Sequence, residues 1–583
     1  MNITCGEAMA RFLANEGVKK VFGIIDGTYF GFYSSLEKYG IELVSPRHEA
    51  TAVHMAGAYA RSTGKLGVCM ASNGPGVANV ISGIAVENVE GNRVLVLTSC
   101  RRHQIVKPDR GGTFQCFDQT AVIGPMSKYS ETVPSPDRLI EILRQGMRRS
   151  FTGRPGVVHI DVPENFINNK FKFEESQFIQ PENYRQTAPL YPNPVDVEKA
   201  ARLLANAKRP VIHAGSGVVH SKAFEELEVL ANTWQIPVTT SWGARGALCE
   251  KNELSVPLIY IDLNNEIRKE ADLVLVLGSR VSETDWWGKM PNWGDSEQTW
   301  IQVDIDPDFI ARNRPVELGI QSCVKTFTRN LVQTLKNDHP NIDLTERKKW
   351  FSDKADKMKK QRLKLDEKVD ESSEVINSAT VPTICKQEFN QDAHVIFDGG
   401  NTAVWGQFYY KCTTPGAGIG TPKMGMLGAG VGQALGAQAA DPNRQVYALM
   451  GDGAMGMHMQ EIETAVRHNL PIVFLVFCDN QWGMVKMNQQ FALKPLKTMI
   501  KKSLNENETI NADFKKTDWA QLADSMGAFG ATANTADEFR KVLKEAISKR
   551  VCSVIQVNVD PVFHMWAPGL LAFKKMHEEP AGK

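Results

Sequence analysis

No CxxC pair occurs in this 583-residue sequence, although it holds ten cysteines, at 5, 69, 100, 116, 249, 323, 385, 412, 478 and 552. That scatter lacks zinc-ligand spacing and does not form a disulfide framework, so free thiols in a reducing compartment are expected. A run of about 18 uncharged apolar residues is also missing, which argues against a membrane span. The opening MNITCGEAMARFLANEG has no basic segment ahead of an apolar one and does not read as a secretory signal. A cytoplasmic protein is expected. Charge of one sign is lacking too: 67 Lys and Arg face 66 Asp and Glu, a formal net charge of +1. Neither nucleic acid nor an anionic membrane surface has an electrostatic handle on such a chain.

What is present is apolar patterning in excess of one hydrophobic core; the length implies roughly three or four compact units. Runs rich in Val, Ile and Leu alternate with amphipathic helical patterns from end to end. VKKVFGI, GKLGVCMAS, NRVLVLTS and GVVHIDVP read as buried strands in the first third. RPVIHAG, ADLVLVLGS and TWIQVDIDP do so in the second, and HVIFDGG, RQVYALMGDG, PIVFLVFCDN and SVIQVNVD in the last. Near-continuous apolar strands between helices are the signature of parallel sheets covered on both faces. The expected class is therefore α/β, with three doubly wound parallel-sheet domains at 1–180, 192–340 and 376–565. The Pro- and Asn-rich QPENYRQTAPLYPNPVD separates the first two. The heavily charged 341–375 reads as a solvated helix or linker, and 566–583 as a frayed tail.

The most informative segment is ALMGDGAMGMHMQEIETAVRHNLPIVFLVFCDNQWG. A strand ends at Leu449, Gly451-Asp452-Gly453 turns, a helix starts near Ala454, and a second strand ends in Asp479-Asn480. Parallel strands bring their C-terminal ends to one edge of the sheet, where ligands sit in open α/β folds. Asp452 and Asn480 thereby converge as hard oxygen ligands suited to Mg²⁺, whose octahedral shell phosphates and water would complete. The glycines let backbone approach phosphate, and the helix presents its positive N-terminus there. A lone Gly-Asp-Gly is most often only a turn. Joined to an Asn at the end of the next strand, it is specific.

This segment resembles the diphosphate-binding motif of thiamine-diphosphate-dependent enzymes. The resemblance implies Asp452, Asn480 and the Trp482 carbonyl as metal ligands, with Gly451, Gly453, Ala454, Gly483 and Met484 around the cofactor. Asp479 stands where that family commonly has Asn and is not counted as a ligand. In DGGNTAVW, Gly400, Asn401 and Thr402 fall where the family holds diphosphate oxygens. In TPKMGMLGAGVGQALGAQAADP, the Gly425 carbonyl would accept the 4′-amino group and Leu427 would wedge the cofactor into its bent form. Near the N-terminus, RHEATAVHMAGAYAR resembles the family's glutamate motif. A Glu in a first helical turn is by itself most often only a partner for the helix dipole. In this context Glu49 is implied as the residue that hydrogen-bonds the aminopyrimidine and favours loss of the thiazolium C2 proton. The next loop, ASNGPGVAN, brings Pro75 and Asn79 to the pyrimidine. The loop IIDGTYF would bring Gly27 to the cofactor and Thr28 and Tyr29 to the substrate.

The order pyrimidine-binding, middle, diphosphate-binding domain is that of the acetolactate synthase group, and the resemblance covers nearly the whole chain. In this family the two halves meet across a subunit interface, which implies a homodimer or homotetramer. Where simple 2-oxo acid decarboxylases have a His-His pair, this chain has GGTFQCFDQT, and Gln115 resembles the glutamine that orients a carbonyl in acetolactate synthases. The expected activity is that of a lyase or carboligase on a small 2-oxo acid or related carbonyl compound: ylid attack, departure of a leaving group, transfer of a two-carbon unit. A sulfoacetaldehyde acetyltransferase is the specific alternative, because Gln481, Trp482, Gly483, Lys486, Asn488 and Gln489 match that group's QWGxxKxNQ. Lys486 would then face an anionic substrate. A flavin-using pyruvate oxidase and a non-catalytic thiamine-fold scaffold are further alternatives, the latter opposed by the presence of Glu49, Asp452 and Asn480 together. The middle domain resembles the nucleotide-fold domain that carries FAD in some relatives. SVPLIYIDL replaces the segment that would contact it, so FAD is not expected.

Overall fold

Three six-stranded parallel sheets follow one another along the chain in a computed structural model that describes residues 1–106 and 108–576. The first joins Lys20–Gly23, Glu42–Val44, Gly67–Ala71, Val94–Cys100, Tyr129–Thr132 and Val157–Pro163. The middle sheet runs from Pro210–Ala214 to Leu318–Gln321, and the third from His394–Asp398 to Ser553–Asn558. Every strand anticipated from an apolar run is present; the short edge strands, such as Ser255–Val256 and Gly418–Gly420, have too little apolar sequence to announce themselves. Numbered by chain order within each sheet, the first and third sheets share the strand order 2-1-3-4-6-5, while the middle sheet has 3-2-1-4-5-6. The latter is the order of dinucleotide-binding folds. All ten cysteines are free thiols. Among the described residues no helix is long and apolar enough to cross a membrane.

Small residues decide how the outer domains meet. The helix Glu49–Thr63 (EATAVHMAGAYARST) lies against Ala429–Ala440 (AGVGQALGAQAA). A Cβ on Gly436 would stand 2.2 Å from the Met55 carbonyl oxygen, and one on Gly432 2.7 Å from the His54 Cβ. The backbones are in contact because nothing separates them. One continuous buried cluster consequently runs from Phe22 and Val53 in the first domain to Leu435 and Val554 in the third. Gly436→Ala forces backbone against backbone and is expected to cost about 2–3 kcal/mol, since overpacking a close-packed core displaces whole elements. Thermal unfolding reads this as a melting temperature several degrees lower; an unchanged melting curve would refute the contact.

The charged stretch at 341–375, expected as a solvated helix or linker, is over Thr345–Asp366 a helix docked on the middle domain. Arg347 is 1% exposed and donates to the carbonyl oxygens of Leu204, Ala207 and Trp234. Phe351 is buried, and Lys354 pairs with Glu266 and Glu270. Its docking was not legible because, beside Phe351 and Met358, the inward face carries Arg347 and Lys354, cations that charge patterning reads as solvated. Of the expected tail, Leu570–Lys575 is helical, and residues 577–583 lie outside those described.

Candidate active site

Two clusters of side chains form at the carboxyl ends of the first and third sheets. In the first domain, Glu49 opens its helix behind His48, whose Nδ1 accepts from Ala50 N. Glu49 Oε2 accepts from Asn79 Nδ2 at 2.9 Å. Pro75 occupies the first turn of the helix Pro75–Glu90, set by Gly74 at φ +64°. A side chain at Gly74 would strike Gln115, whose Cβ lies 2.7 Å from the position of the missing Cβ. Gln115 is exposed, at φ +54°, and its carbonyl accepts from Asn73 Nδ2. Thr28 Oγ1 lies 2.7 Å from Ser99 Oγ, which in turn accepts from Asn73 N. Glu49, Pro75, Asn79, Gln115 and Thr28 thus belong to one neighbourhood, with Gly27 one residue from Thr28 on the exposed 26–28 turn.

Sequence reading passed over the residues that hold this neighbourhood in place. Gln119 Oε1 accepts from Gly74 N at 3.0 Å, while its Nε2 donates to Ser99 O and Asp161 Oδ1. Burial pushes the Asp161 carboxyl up to about 6, against the hydrogen bonds from Thr98 and Gln119. On the other side, the buried Glu461 carboxylate accepts from Arg47 N at 2.9 Å, tying the turn before Glu49 to the third domain. No local periodicity marks Gln119, Asp161 or Glu461, because each acts across a long stretch of chain.

In the third domain three loops interlock through glycine. Gly399 takes φ +98°, and a Cβ there would lie 3.2 Å from Gly451 N. A Cβ on Gly400 would meet Met484 at 3.3 Å, and one on Gly453 would meet the Trp482 ring at 2.6 Å. Asn401 and Thr402 begin the helix Asn401–Tyr409, and Asp452 begins Asp452–His458, which also buries Ala454. Asp452 Oδ1 accepts from Gly453 N at 2.7 Å and Oδ2 from Asn480 N at 2.8 Å. Asn480 sits at φ +54°, a left-handed conformation that Asn tolerates better than most residues. Trp482 N donates to Ala512 O, and its carbonyl accepts from Lys486 N at 2.7 Å as the helix Gly483–Leu493 begins. Gly425 (φ +64°) has open space where a Cβ would be, and Leu427 packs its inner side against the buried cluster shared by both domains.

The donor set fits a hard divalent cation. Burial raises the Asp452 carboxyl, and burial together with the Asp452 charge raises that of Asp479. Both carboxyl groups are buried, and the buried Asn401 Oδ1 has no hydrogen-bond partner. A cation would relieve that repulsion and occupy the free lone pairs. No group of three or more His, Cys, Asp or Glu able to hold a metal occurs among the described residues. Carboxylate, amide and carbonyl oxygens are the donors here, a set that suits Mg²⁺ rather than zinc.

Two expected substrate residues are engaged elsewhere. Tyr29 is fully buried in the first-domain core, edge-on to Phe32 at 5.8 Å. Its ring fills volume there instead of facing a ligand. Lys486 is buried and its Nζ donates to Asp513 Oδ1 at 2.5 Å, which ties the 509–514 segment over the start of its helix.

The reverse holds for His564, which the sequence did not single out. Its Nε2 lies 3.1 Å from Thr402 Oγ1 and its Nδ1 2.8 Å from Ser378 Oγ, and its carbonyl accepts from Trp405 Nε1. Burial lowers its pKa to about 3. The folded chain therefore binds fewer protons than the unfolded one from about pH 6.5 downward, and stability is lost as pH falls toward 3. His564→Gln keeps the size and removes the titration. Its melting temperature is expected to fall less than that of the parent chain between pH 7 and pH 4, a difference worth about 3 kcal/mol. Parallel curves would show that His564 does not titrate.

A separate cavity of about 590 Å³ lies where all three domains meet, bordered by Gly91 and Arg154, by Gly217, His220 and Arg280, and by Lys423. Gly217 and Gly278 approach back to back there, at the carboxyl ends of two middle-sheet strands.

Comparison with known proteins gives three matches in domain order. Residues 3–122 match the model of the thiamine pyrophosphate enzyme N-terminal TPP binding domain, 197–331 the central domain and 398–557 the C-terminal TPP binding domain. The chain is 29% identical over 580 residues to the acetolactate synthase large subunit of Cyanidium caldarium, covering 96% of this chain and 94% of the relative. It is 28% identical over 567 residues to the acetolactate synthase large subunit of Haemophilus influenzae, covering 96% and 95%. With the acetolactate synthase isozyme 3 large subunit of Escherichia coli it shares 26% identity over 572 residues, covering 96% and 95%.

Proposed function

The chain belongs to the thiamine pyrophosphate enzyme family, and from that premise we propose that it is a thiamine-diphosphate-dependent carboligase joining small 2-oxo acids, as an acetolactate synthase does. The observation that carries this reading is the pairing of two half-sites: Glu49 with Asn79 on one sheet edge, and Asp452 with Asn480 and Gly399–Thr402 on the other. Relatives named acetolactate synthase large subunit over nearly the full length support it further.

When bound, thiamine diphosphate supplies an electron sink for carbanion chemistry. The protein's part is to hold and to move a proton. Asp452, Asn480 and the Trp482 carbonyl would hold Mg²⁺; Gly400, Asn401, Thr402, Gly451, Gly453, Ala454, Gly483 and Met484 would cradle the diphosphate. Glu49, aligned by Asn79, would exchange a proton with the aminopyrimidine, and Pro75, Gly425, Leu427 and Gly27 would help hold the cofactor. Gln115 and Thr28, exposed or half-buried beside Gly74 and Ser99, would orient the carbonyl substrate. Tyr29, whose ring is buried in the core, and Lys486, paired with Asp513, would reach a substrate only by leaving those contacts.

Each half-site has an exposed side: Pro75 and Asn79 are exposed on one, and Met424 and Gly425 on the other. A second copy of the chain supplies the missing wall in the proposed homodimer, or in a tetramer of two such pairs. The test is proton NMR of the purified protein with thiamine diphosphate, Mg²⁺ and pyruvate. Acetolactate and CO₂ are expected. If pyruvate is not consumed while sulfoacetaldehyde and phosphate are, the carboligase reading fails. A flavin absorbance band in the purified protein would overturn the expectation that FAD is not bound.

A further inference from the structure

The helix Pro75–Glu90 starts at the glutamate half-site and ends where the three domains join. Its last carbonyls are orphaned by the helix geometry, and cations take them. Arg154 donates to Asn88 O and Val89 O, and Lys423 Nζ donates to Glu90 O at 3.0 Å. The Glu90 side chain, 3% exposed, points the other way in this exchange. Its Oε1 accepts from two consecutive backbone N–H groups of the third domain, Lys423 at 2.8 Å and Met424 at 3.2 Å. Those residues directly precede Gly425. The other hydrogen bonds described for the 421–427 loop are internal, from Gly425 N and Met424 N to Thr421 O and from Thr421 Oγ1 to Met426 O. The loop is thus its own turn; its hydrogen bonds to the rest of the protein run to Glu90, whose carboxylate accepts from Lys423 N and Met424 N, and Leu427 packs inward.

We propose that Glu90 is a positioning residue for the cofactor: by holding two N–H groups it fixes the loop that presents the Gly425 carbonyl and the Leu427 side chain. This rests on the thiamine-diphosphate reading given above. The buried Glu90 carboxylate also faces the Lys423 and Arg61 cations; the role proposed for it is an oxygen placed to accept from both N–H groups, which an amide at the same reach can fill.

Backbone amide hydrogen–deuterium exchange on the full chain without cofactor tests the placement, read by mass spectrometry over 419–428. In Glu90→Ala the exchange of that peptide is expected to speed up by about tenfold, because Lys423 N loses its acceptor and Met424 N keeps only Thr421 O. Glu90→Gln is expected to stay within about threefold of the parent chain, and Lys423→Met, which keeps both N–H groups, likewise. With thiamine diphosphate and Mg²⁺ added, exchange of the thiazolium C2 proton should slow about tenfold in Glu90→Ala and not in Glu90→Gln. Should the alanine variant fail to fold, Glu90→Asp, one methylene too short, takes its place. The proposal is overturned if Glu90→Gln behaves like Glu90→Ala, if Lys423→Met reproduces the effect, or if only the melting temperature moves. A Glu49→Gln control separates the two levels: if it leaves C2 exchange unchanged, the cofactor reading fails, while the cofactor-free measurement still judges Glu90.

Discussion

Glu49→Gln is expected to lower turnover by about 10³-fold while leaving thiamine diphosphate affinity within a few fold, as befits loss of a proton-transfer group whose ground-state hydrogen bond an amide can still make. The amide matches the carboxylate in size and its oxygen can still accept from Asn79 Nδ2. It cannot exchange a proton with the aminopyrimidine. Steady-state kinetics and a cofactor titration on the same preparation separate the two quantities. Equal losses in both would mean that Glu49 serves binding, and undiminished turnover would remove it from the chemistry altogether.

Asp452→Asn is expected to act in the opposite way, through binding. The variant keeps one oxygen for Gly453 N but replaces the acceptor facing Asn480 N, and it removes the charge that would bind Mg²⁺. Affinity for thiamine diphosphate with Mg²⁺ should fall at least about 100-fold, exceeding the usual cost of disturbing a ligand's outer partner. Dialysis of the parent chain against a chelator should release the cofactor, and Mg²⁺ should restore it. Mixing the two inactive variants then tests the proposed interface. If each site takes Glu49 from one chain and Asp452 from its partner, random hybrids recover about a quarter of parental activity, since half the dimers carry one intact site. Sites built within a single chain recover none.

The three-domain architecture was legible in the sequence because parallel strands buried on both faces must be apolar along their length. VLVLTSC, LVLVL and IVFLVFC could be read without any partner in view. The cofactor motif was legible for a related reason. Glycines at 399, 400, 451 and 453 and the oxygen donors at 452 and 480 sit at strand ends, whose position follows from the strands themselves.

Residues chosen by side-chain type alone fared differently. Lys486 reads as a free cation until Asp513 is seen beside it, and Tyr29 as a loop residue until its ring is found in the core. Arg347 belongs to a stretch that composition marks as solvated, yet three carbonyl groups bury it. His564 behind Thr402, Glu461 behind Arg47 and Glu90 beneath Lys423 leave no local trace at all.

The sequence by itself determined the long buried strands, the α/β class and the family of chemistry, since these follow from backbone periodicity and short-range motifs. Only the tertiary structure decided which charges are free and which are committed. That depends on pairs separated by up to several hundred residues, and the energy of a buried ion or hydrogen bond is a property of the pair and its burial, not of either residue's place in the chain.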